Sequence, residues 1–149
     1  MPVGIHLSLA LPRDVATVPL VRHLCAYALR EIRVEEDCVA DIELAVTEAC
    51  ANVVRHAGAD DDYEVTVAIT AESCEIGVVN TGGGFEVGTL AVDPVHASAE
   101  SGRGVQLMRS LVDTMAFTST PGSGTTVRLV KALRYEAGAE VPFAPDLTA

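Results

Sequence analysis

The stretch DIELAVTEACANVVRH, residues 41–56, limits the fold more than any other part of this 149-residue chain. A step of about 100° per residue places Val39, Ile42, Val46, Ala49, Cys50 and Val53 on a single stripe, the pattern of an amphipathic helix laid on a core. The opposite stripe carries Asp41, Glu48, Asn52 and Arg55. Glu48 and Asn52 are one turn apart, so a carboxylate and a carboxamide leave the helix in the same direction. Alone, such a stripe is an ordinary solvated face, and its meaning depends on what else in the chain reaches it.

Upstream, Ile5, Leu7, Leu9 and Leu11 alternate with His6, Ser8 and Ala10, which predicts a half-buried strand ended by Pro12. Val21, Leu24, Cys25, Ala28, Leu29 and Ile32 recur at helical spacing and predict a first helix over 18–32, with Asp14 or Thr17 as its cap. Arg22 and Arg30 fall off that apolar stripe. Downstream, 63–70 and 74–80 are β-rich runs joined by three residues, the signature of a hairpin. The second run ends in Asn80, and Gly82, Gly83 and Gly84 follow. Residues 86–101 have little periodicity and predict a long mobile loop, a feature that compact domains keep for function.

Gly102, Arg103 and Gly104 close that loop immediately before a helical spacing over 105–112. Glycines there let backbone amides and the positive end of a helix approach an anion. Two strands over 114–120 and 125–133 complete the chain, joined by Pro121, Gly122, Ser123 and Gly124. The order β, α, α, β, β, loop, α, β, β predicts an α+β fold, a two-layer sandwich with helices on one face of a mostly antiparallel sheet and the other face open to water. Residues 1–135 form one domain in this reading. Residues 136–149, with two prolines and no amphipathic pattern, are expected to be a flexible tail.

Ten basic against 21 acidic residues give a formal charge of −11, which argues against nucleic acid as a direct partner. No apolar run is long enough to span a bilayer, and the N-terminus lacks the basic start and apolar block of a signal peptide, so a cytoplasmic protein away from membranes is expected. Cys25, Cys38, Cys50 and Cys74 are widely spaced and sit in helix and strand patterns, which suggests buried thiols rather than a disulfide frame or a zinc site.

Taken in order, ExxxN on a helix, NxGxGF after a strand, GRG before a helix and the GSGTTVRL ending make the chain resemble the GHKL (histidine kinase-like) ATPase superfamily. Within it the likeness is to the small anti-sigma factor serine-protein kinases. The resemblance implies a histidine kinase-like ATPase fold that binds ATP and Mg2+. It further implies that Glu48 is the general base or water-positioning residue and Asn52 the magnesium ligand. Asn80, Gly82, Gly84 and Thr125 would border adenine, and Gly102, Arg103 and Gly104 would close over the phosphates. Arg22 would meet a partner protein. The implied partners are a sigma factor and a STAS-domain anti-anti-sigma factor, in a homodimer.

Two departures bear on activity. The adenine-reading Asp of the family is here Asn80, and a neutral acceptor in place of a charged one lowers affinity by about tenfold. The segment 86–101 contains no lysine and only His96 as a possible base. These departures leave a non-catalytic nucleotide-binding module, acting through protein–protein binding, as the alternative to the kinase.

Overall fold

The computed structural model describes residues 4–56, 62–80, 99–120 and 124–143. Its elements follow the order β1 (Ile5–Leu11), α1 (Thr17–Glu31), α2 (Glu36–His56), β2 (Tyr63–Ile69), β3 (Ser73–Asn80), α3 (Ala99–Leu111), β4 (Thr114–Thr120) and β5 (Gly124–Ala132). The strands form one antiparallel sheet in the order β1-β2-β3-β5-β4. The α+β reading holds, with the helices on one face. Tyr63, Val65, Val67 and Ile69 of β2, Cys74, Ile76 and Val78 of β3, and Val127 and Leu129 of β5 are buried beneath the helices. The alternate residues Glu64, Thr66, Arg128 and Thr118 are exposed, so the second face is wet. On that face Arg128 pairs with Glu75 diagonally across β5 and β3.

Helix α2 is the middle element of the helical layer. It packs against α1 on one side and α3 on the other, and lies over β3 and β5. Ala45, Ala49, Cys38 and Cys50 are fully buried along it, small side chains that let neighbouring backbones approach on several sides at once. The helix begins at Glu36, five residues before the stretch whose periodicity announced it, with Glu36 and Asp37 in the first turn facing the positive end of the dipole. Lys131 of β5 reaches Asp41 at 3.3 Å and ties this half of α2 to the sheet.

Helix α1 ends in a Schellman turn: Val34 N–H bonds the Leu29 carbonyl at 3.1 Å and Arg33 N–H that of Arg30 at 3.0 Å. Arg33 occupies the left-handed position that glycine usually takes (φ 64°). It is held there from the C-terminal segment. Glu136 N–H donates to the Arg33 carbonyl, the Arg33 guanidinium reaches Glu136 at 3.2 Å, and Val34 bridges to Tyr135. The Tyr135 hydroxyl donates to the Ala71 carbonyl at 2.7 Å, and Phe143 packs on the edge of the core.

The four cysteines are buried free thiols, as their spacing suggested. Burial pushes the Cys25 and Cys50 thiols up to about 12, with Glu43 adding to the shift at Cys25 and Cys25 adding to it at Cys50. Burial likewise raises Cys74. Between pH 9 and 12 the folded chain keeps protons that the unfolded chain releases, so this contribution to stability is complete below pH 9 and is lost as pH climbs toward 12. A thiol reagent at pH 8 will leave the native protein unmodified and label all four cysteines after denaturation. Rapid labelling of the native chain would contradict the burial.

A cleft between α2 and α3

The site is built where α2 and α3 face each other. Glu48, Arg55, Arg103, Gly104 and Leu107 line a cleft of about 230 Å3. Glu48 is half-buried on α2. Across from it, a methyl group placed on Gly104 would sit 3.0 Å from Glu48 Oε2, so the absence of a side chain at 104 is what admits the carboxylate. Arg103, exposed, and Arg55 supply positive charge beside that carboxylate.

One turn after Glu48, Asn52 departs from the solvated stripe on which periodicity placed it. It is 2% exposed, and neither its Oδ1 nor its Nδ2 has a hydrogen-bond partner among the described residues. The reason is tertiary, since periodicity along α2 reports only its apolar stripe, while α3 also packs along α2 and meets Glu48 through Gly104. A buried carboxamide with both ends unpaired costs about 1–3 kcal/mol for each unsatisfied group, a cost that folding does not repay. Its oxygen suits a hard cation such as Mg2+, which takes oxygen ligands and is commonly held by few protein groups together with phosphates. The residues present therefore fit the implied metal at Asn52.

Asn80 and Thr125 form a second group. They are directly opposite each other in the β3–β5 register, both buried beneath the helical layer. Asn80 Nδ2 donates to the Asp62 carbonyl at 2.9 Å, which fixes the orientation of the amide. Tyr63, the residue paired with Asn80 on β2, is buried and reaches Thr17 Oγ1 at 2.5 Å. Thr17 gives its only hydroxyl proton to the Asp14 carbonyl at 2.6 Å, so the tyrosine hydroxyl is the donor in that pair.

The structure corrects two expectations and adds one residue. Gly102, Arg103 and Gly104 do not precede α3; they lie inside it, because the helix starts at Ala99. Two glycines in a helix cost about 1 kcal/mol each, and the close packing of Gly104 under Glu48 is the gain that offsets it. In an α-helix only the first four N–H groups lack internal partners, so the amides of Arg103 and Gly104 belong to the helix rather than to an anion loop. Residues 99–101 of the expected loop are likewise helical, while 81–98, including Gly82 and Gly84, lie outside the described residues. The added residue is Arg55, noted only as part of the polar stripe. Its place two turns beyond Glu48 was the available signal that it would reach the same cleft. Arg22 is placed elsewhere, in a groove of about 550 Å3 between α1 and α2 with His23, Glu43, Leu44 and Thr47.

An antiparallel sheet under a helical layer, with a glutamate and a buried asparagine one turn apart on the central helix, defines a nucleotide-binding domain class. The chain belongs to the histidine kinase-like ATPase domain family, which matches residues 11–131. It is similar to the serine-protein kinase RsbW of Bacillus mycoides, 26% identical over 140 residues that cover 87% of this chain and 86% of that one. It is also similar to the anti-sigma F factor of Caldanaerobacter subterraneus, 32% identical over 99 residues covering 62% and 69%. The RsbU and RsbW domains of Rv1364c from Mycobacterium tuberculosis share its fold with a TM-score of 0.66 at 20% identity, over 87% of this chain and 33% of that one. The SiaB–SiaC complex from Pseudomonas aeruginosa contains the same fold, with a TM-score of 0.60 at 11% identity over 83% and 88%.

Proposed function

We propose that this protein is an ATP-dependent serine/threonine kinase and anti-sigma factor that phosphorylates a STAS-domain anti-anti-sigma partner, regulating transcription by partner switching. The observation that carries the reading is Glu48 on the wall of the α2–α3 cleft with the unpaired Asn52 one turn below it. The names of the relatives support the class of activity. Asn52 would hold Mg2+, whose contribution when bound is to neutralise phosphate charge. Asn80 and Thr125, with Gly82 and Gly84, would border adenine, and Gly102, Arg103 and Gly104, inside α3, would face the phosphates through the Arg103 guanidinium rather than through their amides. Arg22 would contact the partner. The catalytic unit spans 1–135, with 136–149 as an appended tail whose described residues, through Phe143, rest on the domain. The proposal includes a homodimer in the cytoplasm; no helix among the described residues is long and apolar enough to cross a membrane.

In the transfer, the acceptor serine Oγ bonds to the γ-phosphorus as the bond from that phosphorus to the β–γ bridging oxygen breaks. ADP leaves with the electron pair, and Glu48 takes the serine proton. Arg103 and Arg55, lining the same cleft, are placed to balance charge on the equatorial oxygens.

A second reading rests on Asn80. Because the neutral amide replaces the family's carboxylate and is already engaged with Asp62, weaker adenine recognition would suit a module that binds nucleotide without turnover. Incubation with γ-labelled ATP, Mg2+ and a STAS-domain protein separates the two. Label on a serine of the STAS protein is the expected result. Nucleotide binding without label would move the function to the second reading, and absence of both would reject the site.

A further inference from the structure

A groove that bears two arginines, Arg13 and Arg55, lies beside the cleft rather than in it. Arg13, Asp14 and Val15 from the β1–α1 turn, Val18 and Pro19 at the start of α1, and Val54 and Arg55 from the last turn of α2 enclose a volume of about 740 Å3. The nucleotide reading uses Arg55 of it and none of its other residues. It shares one residue, Arg55, with the cleft that Glu48 lines.

Its chemistry is two-sided. Val15 is 73% exposed, an apolar side chain left in water on an otherwise strongly acidic protein. Arg13 is anchored through Nε, which donates to the Val54 carbonyl at 2.7 Å. Its two terminal nitrogens have no partner among the described residues, and a guanidinium held at one edge presents the other as a ready two-pronged donor. Asp14, the acidic residue of the groove, accepts from the Ala16 N–H at Oδ1, 2.9 Å away, and leaves two positive charges against one negative in the lining. Two of the chain's ten basic residues thus flank an apolar floor, on a molecule whose formal charge is −11.

We infer that this groove docks a segment of the phosphoacceptor protein in which acidic and aliphatic side chains alternate, the carboxylates meeting Arg13 and Arg55 and the aliphatic groups covering Val15, Val18 and Pro19. The inference rests on the kinase reading and adds to it the rule by which the substrate is chosen. Long-range repulsion from the net acidic surface disfavours an acidic partner over much of the molecule, so a local pair of arginines favours approach at this groove. A segment that meets Arg55 is at the residue that also lines the Glu48 cleft.

The test uses the full chain and a short fluorescein-labelled serine peptide in which aspartate alternates with leucine, beside a counterpart with lysine for aspartate. Fluorescence anisotropy at low ionic strength should show the aspartate peptide binding at least about tenfold more tightly than the lysine peptide. Arg13→Glu and Val15→Glu should each weaken it by about tenfold or more, since a reversed or buried charge at the rim opposes the same ligand. Val15 is exposed, so its substitution leaves folding intact even where Arg13→Glu disturbs the turn. Calorimetric titration with MgATP on the same preparations should be unchanged by either. Equal binding of the two peptides, no binding of the aspartate peptide, or indifference to both substitutions overturns the groove. Absence of MgATP binding by the unsubstituted chain would instead overturn the kinase reading, and leaves the charge selectivity of the groove to be judged on its own result.

Discussion

Replacing Asn52 by Leu should make the nucleotide-free protein more stable and abolish its magnesium-dependent binding of ATP. The two effects have one cause. Asn52 is 2% exposed with both carboxamide atoms unpaired among the described residues, so it was taken out of water without a partner from any of them. Leucine has a similar reach and no polar atoms, and removing the two unsatisfied atoms gains about 1–3 kcal/mol for each. For a chain of this size that raises the melting temperature by about 2–4 °C per kcal/mol. Loss of a direct metal ligand should lower MgATP affinity at least about a hundredfold, since even outer partners of a ligand cost 10–100-fold. Asn52→Ala should lose the same affinity with less gain in stability, because it leaves a void. Calorimetry and thermal unfolding in parallel decide the matter. A variant that binds MgATP normally removes Asn52 from the site, and one that unfolds earlier without ligand shows that the amide is serving the core.

That Asn52 is interior was not legible along the chain, and the reason locates the limit of periodicity. Periods of 2 and 3.6 report which residues face the largest apolar layer. They gave every element in order, because β2 and β3 alternate cleanly and α1 and α2 each have a continuous apolar stripe. Periodicity says nothing about a second contact made by the polar side of a helix. Helix α3 makes that contact with α2, and it is the element whose start was misplaced, since Gly102 and Gly104 look like breakers until Glu48 is seen lying against Gly104. The strand order was hidden for a different reason. Only β2–β3 and β4–β5 are joined locally, while β3–β5 pairing, which sets Asn80 opposite Thr125, is a long-range choice made by the sheet. The motif resemblance did see these residues as one group, because it carries three-dimensional constraint that spacing alone lacks.

Glu48→Gln should leave MgATP affinity within about threefold of the unsubstituted chain while slowing phosphoryl transfer by about 10²–10⁴-fold, the span that a positioned general base supplies. The amide keeps the shape of the carboxylate, so Gly104 still accommodates it at the cleft wall and α2–α3 packing is retained. What disappears is the group able to take the serine proton. Gly104→Ala probes the same atom from the other side: the added methyl meets Oε2 at 3.0 Å, so the carboxylate must move by a few tenths of an ångström. Displacing a reacting group costs rate steeply, about 10²-fold for a full ångström, and roughly a tenfold loss of transfer is the expected outcome here. A common readout, labelled phosphate on the acceptor at saturating MgATP, ranks the unsubstituted chain above Gly104→Ala and both above Glu48→Gln. Parallel loss of affinity and transfer in Glu48→Gln would assign the residue to holding the cleft together. Undiminished transfer would place the base elsewhere, leaving Glu48 as one charge among the pair of arginines that surround it.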